Sequence, residues 1–558
     1  LTVDQMAAFT TAQISKLTDA QVGVLSAAQV QSITTADVVQ MTNSQVQALS
    51  TTAVKGMLTS QVSSLTATQV ANLTAGQVPV LTADQLVSLT TAQISKFTAE
   101  QMGVMTTAQI KSIATDDMQN LTGAQLQGIT TDGVKAMLAE QVAVLTTAQI
   151  SKLAETQVAV MTVGQVQNIT TDDLVNLTNA QLQAISTAGI AALTSDQVVS
   201  LTTGQVAAVT TTQLQALTDA EVGALTTSQV QALGNTQVAA LTTGSVVALS
   251  SDQVAAFTTS QVSSITTTQV GVLKADQVSA LTTDQVTKLT TTQLAVLANS
   301  NVAALSTAQV DALSTAQLTS LNTSQVQALT AAVVASLSTD KVQALTTTQV
   351  SGLISSTVAS FTTDQVQALT TAQVKVLADS VITGLSTTQL TSLDTSQVAA
   401  LTASQIRALN TTEVNALTTT QIGGLTTSQI ASLENADMVA MTADQVGALN
   451  TSQVAALTVG MVANLSTDQV TALGTTNVTA LTDVQVKALT TASVAALGTD
   501  QVGVLTTSQV TALTAAAVGA LSTDQIGALT TSQVKVLTTA NVVALSTAQV
   551  AALSTDQV

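Results

Sequence analysis

The chain has 558 residues, of which 46% are apolar and only 8% charged, and 13 Lys and Arg against 32 Asp and Glu leave a net charge of −19. It contains no Cys, His, Trp or Tyr and a single Pro, which excludes a disulfide scaffold, a thiolate or imidazole metal site, and any nucleophile that needs a His or Cys partner. The apolar content argues against disorder, and the acidic balance argues against nucleic acid, which needs clustered cations to displace its counterions.

From the first residue onward an aliphatic residue or Phe occupies every eighth position: Leu1, Phe9, Leu17, Leu25, Ile33, Met41, Leu49, and so on to Leu545 and Leu553. A second apolar set follows five residues behind, from Met6, Ile14, Val22 and Val30 to Val550 and Val558. The unit is Leu-Thr-Thr-x-Gln-Val-x-Ala, repeated as 69 complete octads and a last partial one without insertion or deletion. Length alone suggests three or four domains, but no linker or change of composition divides the chain. The expectation is one uninterrupted array over residues 1–558, with no catalytic, cofactor-binding or metal-binding residues.

An eight-residue period restricts the conformation. A single continuous helix would need four residues per turn instead of 3.6, and its apolar stripe would drift around the axis. A β-solenoid, the alternative reading, wants apolar residues two apart. Here they are five and three apart, and Gln and Ala are poor strand formers. One short helix per octad fits every position. Counting from the Leu, Thr or Ser at position 2 and Gln at position 5 form the capping box, and the apolar residues at positions 1 and 6 are the partners of a hydrophobic staple. Leu17–Thr18–Gln21–Val22 and Leu225–Thr226–Gln229–Val230 carry the full device.

Charges test this register independently. Of 32 acids, 29 fall at positions 3 to 5, the first turn of the expected helix, as do Asp84, Asp252, Asp364 and Asp524. Of 13 bases, 11 fall at positions 7 or 8, its last turn, as do Lys16, Lys96, Lys375, Arg407 and Lys535. That sorting by sign is what the helix dipole favours, and mere solvation of a polar face would not produce it. Helices this short are unstable alone, so octads must stack, with Ala and Gly at positions 7 and 8 permitting close approach. The predicted fold is an all-α solenoid with helix over most of positions 3 to 8, a turn around positions 1 and 2, and a core column of positions 1 and 6. Ten of the eleven Met residues belong to that column; Met461 is the exception.

Along the chain, a few local features depart from or decorate the pattern. Asn72-Leu-Thr and Asn322-Thr-Ser match glycosylation acceptors, a match that a Thr-rich chain produces by chance. Pro79, at position 7, predicts a local distortion near a helix end. The run from Gln93 to Met105 is echoed 56 residues later, from Gln149 to Met161. The echo reads as recent duplication, the alternative being a superhelical turn near seven octads. Asp116–Asp117 and Asp172–Asp173 could ligate a hard cation, but they read first as first-turn helix acids. Adjacent threonines such as Thr10–Thr11 do not make the every-second-residue row of a flat ice-binding strand.

The octad resembles the Leu-Thr-Thr-x-Gln-Val-x-Ala arrays of very large secreted or surface repeat proteins of bacteria, often labelled adhesin-like; the run LTTSQV from Leu225 to Val230 recurs unchanged from Leu505 to Val510. The resemblance covers the whole chain and implies an extracellular or cell-surface setting. It brings no catalytic or ligand residues. The expected function is a structural filament, fibre or stalk without enzymatic activity or cofactor, the alternative being an adhesin whose repeats hold a glycan, a surface or ice. No stretch of eighteen apolar residues predicts membrane insertion. The first residue is Leu, and the last octad stops at Val558 without a diversified cap. The expectation is therefore end-to-end self-association or continuation of the same octads in a longer chain.

Overall fold

Each octad forms one helix, and the octad at Leu225 shows why. Thr226 is extended (φ −69°, ψ 158°), and its hydroxyl accepts from the Gln229 amide at 3.2 Å. Gln229 Oε1 in turn accepts from the Thr226 amide at 2.8 Å. Both amides belong to the orphan donors of a helix start, so the box satisfies them reciprocally. Helix runs over Thr227–Ala232 and stops at Leu233, which is extended again (φ −59°, ψ 136°). Two extended residues, at positions 1 and 2, thus separate one helix from the next.

The computed structural model describes residues 1–558 as 68 α-helices of four to seven residues and one 3-10 helix. No residue forms a strand, so the β-solenoid alternative is wrong and the all-α reading holds. None of the helices is long and apolar enough to cross a membrane. The residues divide into two units, Leu1–Leu281 and Thr282–Val558.

Within each unit a helix packs on the one three octads later. Ala99–Gly103 lies against Gly123–Gly128 and Asp219–Ala224 against Thr243–Ala248 in the first unit; Ala443–Gly447 lies against Thr467–Ala472 and Asp483–Ala488 against Thr507–Ala512 in the second. Side-chain bonds between successive turns join residues 28 to 31 apart. A superhelical turn therefore takes between three and four octads, half the seven that the 56-residue echo suggested as an alternative. The core is the column of positions 1 and 6, as in Ile110, Leu126, Val254, Leu390 and Ile422. Met461 is also fully buried, at position 5.

Two octads depart from the standard geometry. At Pro79 the α-helix gives way to a 3-10 helix over Val78–Val80, the distortion expected where proline removes an amide donor. At Gly474 the extended connection is lost: Leu473 is helical, and Gly474 supplies the only positive φ in the chain, +69°. That conformation is open to glycine at little cost, and it joins Thr467–Ala472 almost directly to Gly474–Ala480.

Candidate functional site

The residue that organises the surface between turns is the glutamine at position 5. Fifty of the seventy octads carry it, and away from the first turn it is buried. Its carboxamide is divided between two tasks. The oxygen closes the capping box of its own octad, while the NH2 group donates to carbonyls at the end of a helix one turn below. Gln61 Nε2 donates to Val30 O at 2.8 Å and Ile33 O at 2.7 Å. Gln229 does so to Val198 O and Leu201 O, and Gln453 to Ile422 O and Leu425 O. The last carbonyls of a helix lack intrahelical partners, so this column covers buried acceptors that would otherwise be costly.

Where N-cap side chains fail, the glutamine half of the box persists. Leu58, Leu138 and Gly234 have no hydroxyl, yet their amides still donate to Gln61, Gln141 and Gln237. Shorter substitutes at position 5 keep part of the reach: Asn477 Nδ2 and Ser493 Oγ donate to Leu449 O and Leu465 O, 28 residues below.

Acids at position 5 cannot donate, and the structure handles them differently. Asp37 accepts the Thr11 and Thr34 hydroxyls, each at 2.6 Å. Burial pushes its carboxyl up, but those hydroxyls and a Thr34 backbone bond outweigh this and hold it below the ordinary value. Asp173 and Asp437 are raised, in both cases chiefly by burial. Asp173 has a single lowering bond from Thr170, opposed by the Asp172 charge; Asp437 has one from the Glu434 backbone, opposed by the Glu434 charge.

The remaining singled-out residues fall into structural places. Asp116 and Asp117 lie in the first turn of Thr115–Gln119, Asp172 and Asp173 in that of Thr171–Leu174. No group of three acids, histidines or cysteines gathers anywhere to hold a metal ion. Asn322 is an N-cap whose Oδ1 accepts from the Gln325 amide at 2.9 Å, and Asn72 Nδ2 donates to Thr68 O. Thr10 is the N-cap of its helix, while Thr11 reaches Asp37 on the next turn. A surface depression of about 540 Å³ lies open between Gln119, Gly123, Gln127 and Lys152.

The column was missed in the sequence, although a signal for it exists. A capping box accepts Glu or Gln, yet only Glu221 and Glu413 hold position 5 against fifty Gln. An excess of that size demands a donor, and a donor demands a partner outside the octad.

Fold and column together define a helical solenoid of octapeptide repeats. A family model described as the ALTTAQ repeat matches the chain at residues 166–203, 198–235, 230–267, 404–435, 430–467, 484–515, 511–539 and 534–558. Its six letters coincide with position 8 of one octad and positions 1 to 5 of the next, which span the core Leu, the cap and the column glutamine. ALTTAQ repeats thus recur in tandem along the chain. No curated protein matches it.

Proposed function

We propose that the chain is a structural element, a spacer or fibre outside a bacterial cell, and that it catalyses nothing. The observation that supports this reading most is how the repeat uses its polar groups. The position 2 hydroxyl is committed to the cap, and the position 5 carboxamide to the cap and the turn below. What faces solvent is a thinly charged acidic surface that favours solubility. The composition supplies no imidazole or thiol for activating the abundant hydroxyls. The extracellular setting rests on the resemblance of the octad to bacterial surface arrays. Electron micrographs of the native material test the reading: filaments or stalks support it, and isolated compact particles overturn it.

A second reading, adhesion through the repeats, draws on the exposed threonines at position 3, such as Thr227, Thr419 and Thr427, which capping leaves free. Specific retention of the purified chain by polysaccharide, cell surfaces or ice would favour it over a passive spacer.

A further inference from the structure

Each of the two units has two unlike flanks, and we propose that copies of this chain pack side by side, the acidic flank of one against the basic flank of the next. The proposal rests on the structural reading above and names its lateral partner. Contacts between successive turns join residues 25 and 29 apart, as between Ser404 and Asp379 and between Ser88 and Thr59, so a turn takes about 27 residues, midway between them. Solvent-facing acids recur at that interval. In Thr282–Val558, ten of the fifteen acids, from Asp284 to Asp556, follow one another 24 to 32 residues apart, with one turn skipped between Asp394 and Asp444. In Leu1–Leu281, eight acids from Asp84 to Asp276 do so at 23 to 33 residues. Each line carries about one carboxylate per turn.

Six bases stand about half a turn from these lines, on the opposite flank. Lys96 and Lys152 lie 12 residues beyond Asp84 and Glu140. Lys375, Arg407 and Lys535 lie 11, 13 and 11 residues beyond Asp364, Asp394 and Asp524, and Lys487 lies 13 before Asp500. All six are exposed. Lys152 and Lys375 each border an open depression, of about 540 and 390 Å³, with room for a neighbour's carboxylate side chain. In the second unit this flank also carries Ile354, Val376, Val459 and Val484, which are 36–63% exposed and 9 to 16 residues from the nearest acid of the line. Asp379, Glu434 and Asp483 offset three of its four bases, so the flank is close to neutral, whereas the ten acids of the line have only Lys288 and Lys341 on their side.

A copy laid alongside, parallel and unshifted, brings these bases, unit by unit, to the height of acids on its neighbour. The spacing of the acids is set by the pitch of the solenoid. An array of the same repeat therefore stays in step turn after turn, and a partner of another pitch does not. Complementary charge fixes register in this way, and exposed pairs that are weak singly recur along the array. A contact between two different flanks does not close on itself, so side-by-side packing propagates.

The test uses the full chain at low ionic strength and a variant carrying Lys96→Glu, Lys152→Glu, Lys375→Glu, Arg407→Glu, Lys487→Glu and Lys535→Glu. Light scattering of the unaltered chain is expected to show mass that grows with concentration and falls again on adding salt, which screens exposed charges. Carbodiimide coupling of mixed light- and heavy-isotope chains is expected to join Lys375 of one copy to Asp364 or Asp394 of another. The variant is expected to stay monomeric with an unchanged circular dichroism spectrum. Its acidic flank is intact, so added to the unaltered chain it should end growth. An unaltered chain that stays monomeric at low ionic strength overturns the proposal, as does assembly that survives in the folded variant. Cross-links between copies that miss these bases overturn it too, and they decide the matter if the variant does not fold. Single, unbundled filaments in micrographs of native material would sink side-by-side packing and leave the spacer reading standing, so the two fail separately.

Discussion

Lys341 Nζ lies 2.9 Å from Asp311 Oδ1 and donates to the Val310 and Asp311 carbonyls, in the place of a column glutamine. These two residues are the only base at position 5 and the only acid at position 7 in the chain, and together they form an ion pair. The separation of 30 residues is one that column glutamines also bridge, as Gln325 does to Ala295 O. One departure from the charge pattern compensates the other.

That pairing can be tested by removing one side. Asp311→Asn leaves an ammonium that is only 11% exposed without its carboxylate, which is itself 62% exposed. Exposed pairs contribute little and buried ones much more when broken, so a loss of about 1 kcal/mol is expected. Lys341→Gln restores the common residue and should cost nothing. Long repeat arrays need not unfold as one unit, so the readout is hydrogen exchange at Thr339–Ala344. Equal exchange in both variants would count against the pairing.

Gln325 tests the column itself. Its side chain is fully buried, accepts from the Asn322 amide at 2.8 Å, and donates to Leu294 O at 2.9 Å and Leu297 O at 2.8 Å. Gln325→Met, the residue found natively at Met461, leaves carbonyls without a donor and should cost about 1–3 kcal/mol. Gln325→Glu keeps the cap but places a charge where a donor belongs, so it should cost more despite its closer resemblance. Local exchange rates over Thr323–Ala328 and its neighbour one turn below should rank native, Met, Glu. A glutamate that matches the native chain would mean the NH2 bonds contribute nothing.

What was legible in the sequence is what lies within one octad. Thr226, Gln229 and Leu233 specify cap, helix and stop through contacts at most a few residues apart. Gln229 to Leu201, by contrast, depends on how many octads complete a turn, and that number follows from the angles at each extended pair, which no single octad encodes. The charge exceptions Asp311 and Lys341 were visible as anomalies, but without the turn length nothing joined them. The 56-residue echo gains a physical meaning from the same number. Column bonds to Leu carbonyls span 28 residues, so a duplicated block of seven octads equals about two turns and rejoins the array facing the same way. Asp84, Glu140, Asp196 and Asp252 follow one another at this interval.

Acidity should affect the acids of position 5 in opposite senses. For Asp173 and Asp437 the folded carboxyl is raised above the ordinary 3.8, chiefly by burial. Their contribution is then fully present below 3.8 and lost as pH rises through the raised folded value. For Asp37 the folded carboxyl is lowered by the Thr11 and Thr34 bonds despite burial. Its contribution is present above 3.8 and lost as pH falls through the lowered value. Exchange corrected for its intrinsic pH dependence should slow on acidification over Thr171–Leu174 and Asn435–Ala440, and accelerate over Thr35–Gln40. Parallel behaviour of all three helices would refute the assignment.

Two glycines predict opposite responses to the same substitution. Gly128, at the end of Gly123–Gly128, lies where its helix meets Ala99–Gly103, and a Cβ there would sit 2.8 Å from the Ala99 carbonyl carbon and 2.9 Å from its Cα. Backbone cannot yield as a side chain does, so Gly128→Ala must push two turns apart and should cost more than about 1 kcal/mol, as overpacking does. Gly164 lies inside Val163–Gln167 with open space where its Cβ would be. There alanine restricts the unfolded chain and favours helix, a gain of about 0.4–1 kcal/mol. Exchange at Val163–Gln167 should slow in Gly164→Ala, while Gly128→Ala should speed exchange in both helices of its contact. If Gly128→Ala instead protects Ala99–Gly103, the turns are not packed as closely as the small residues at positions 7 and 8 imply.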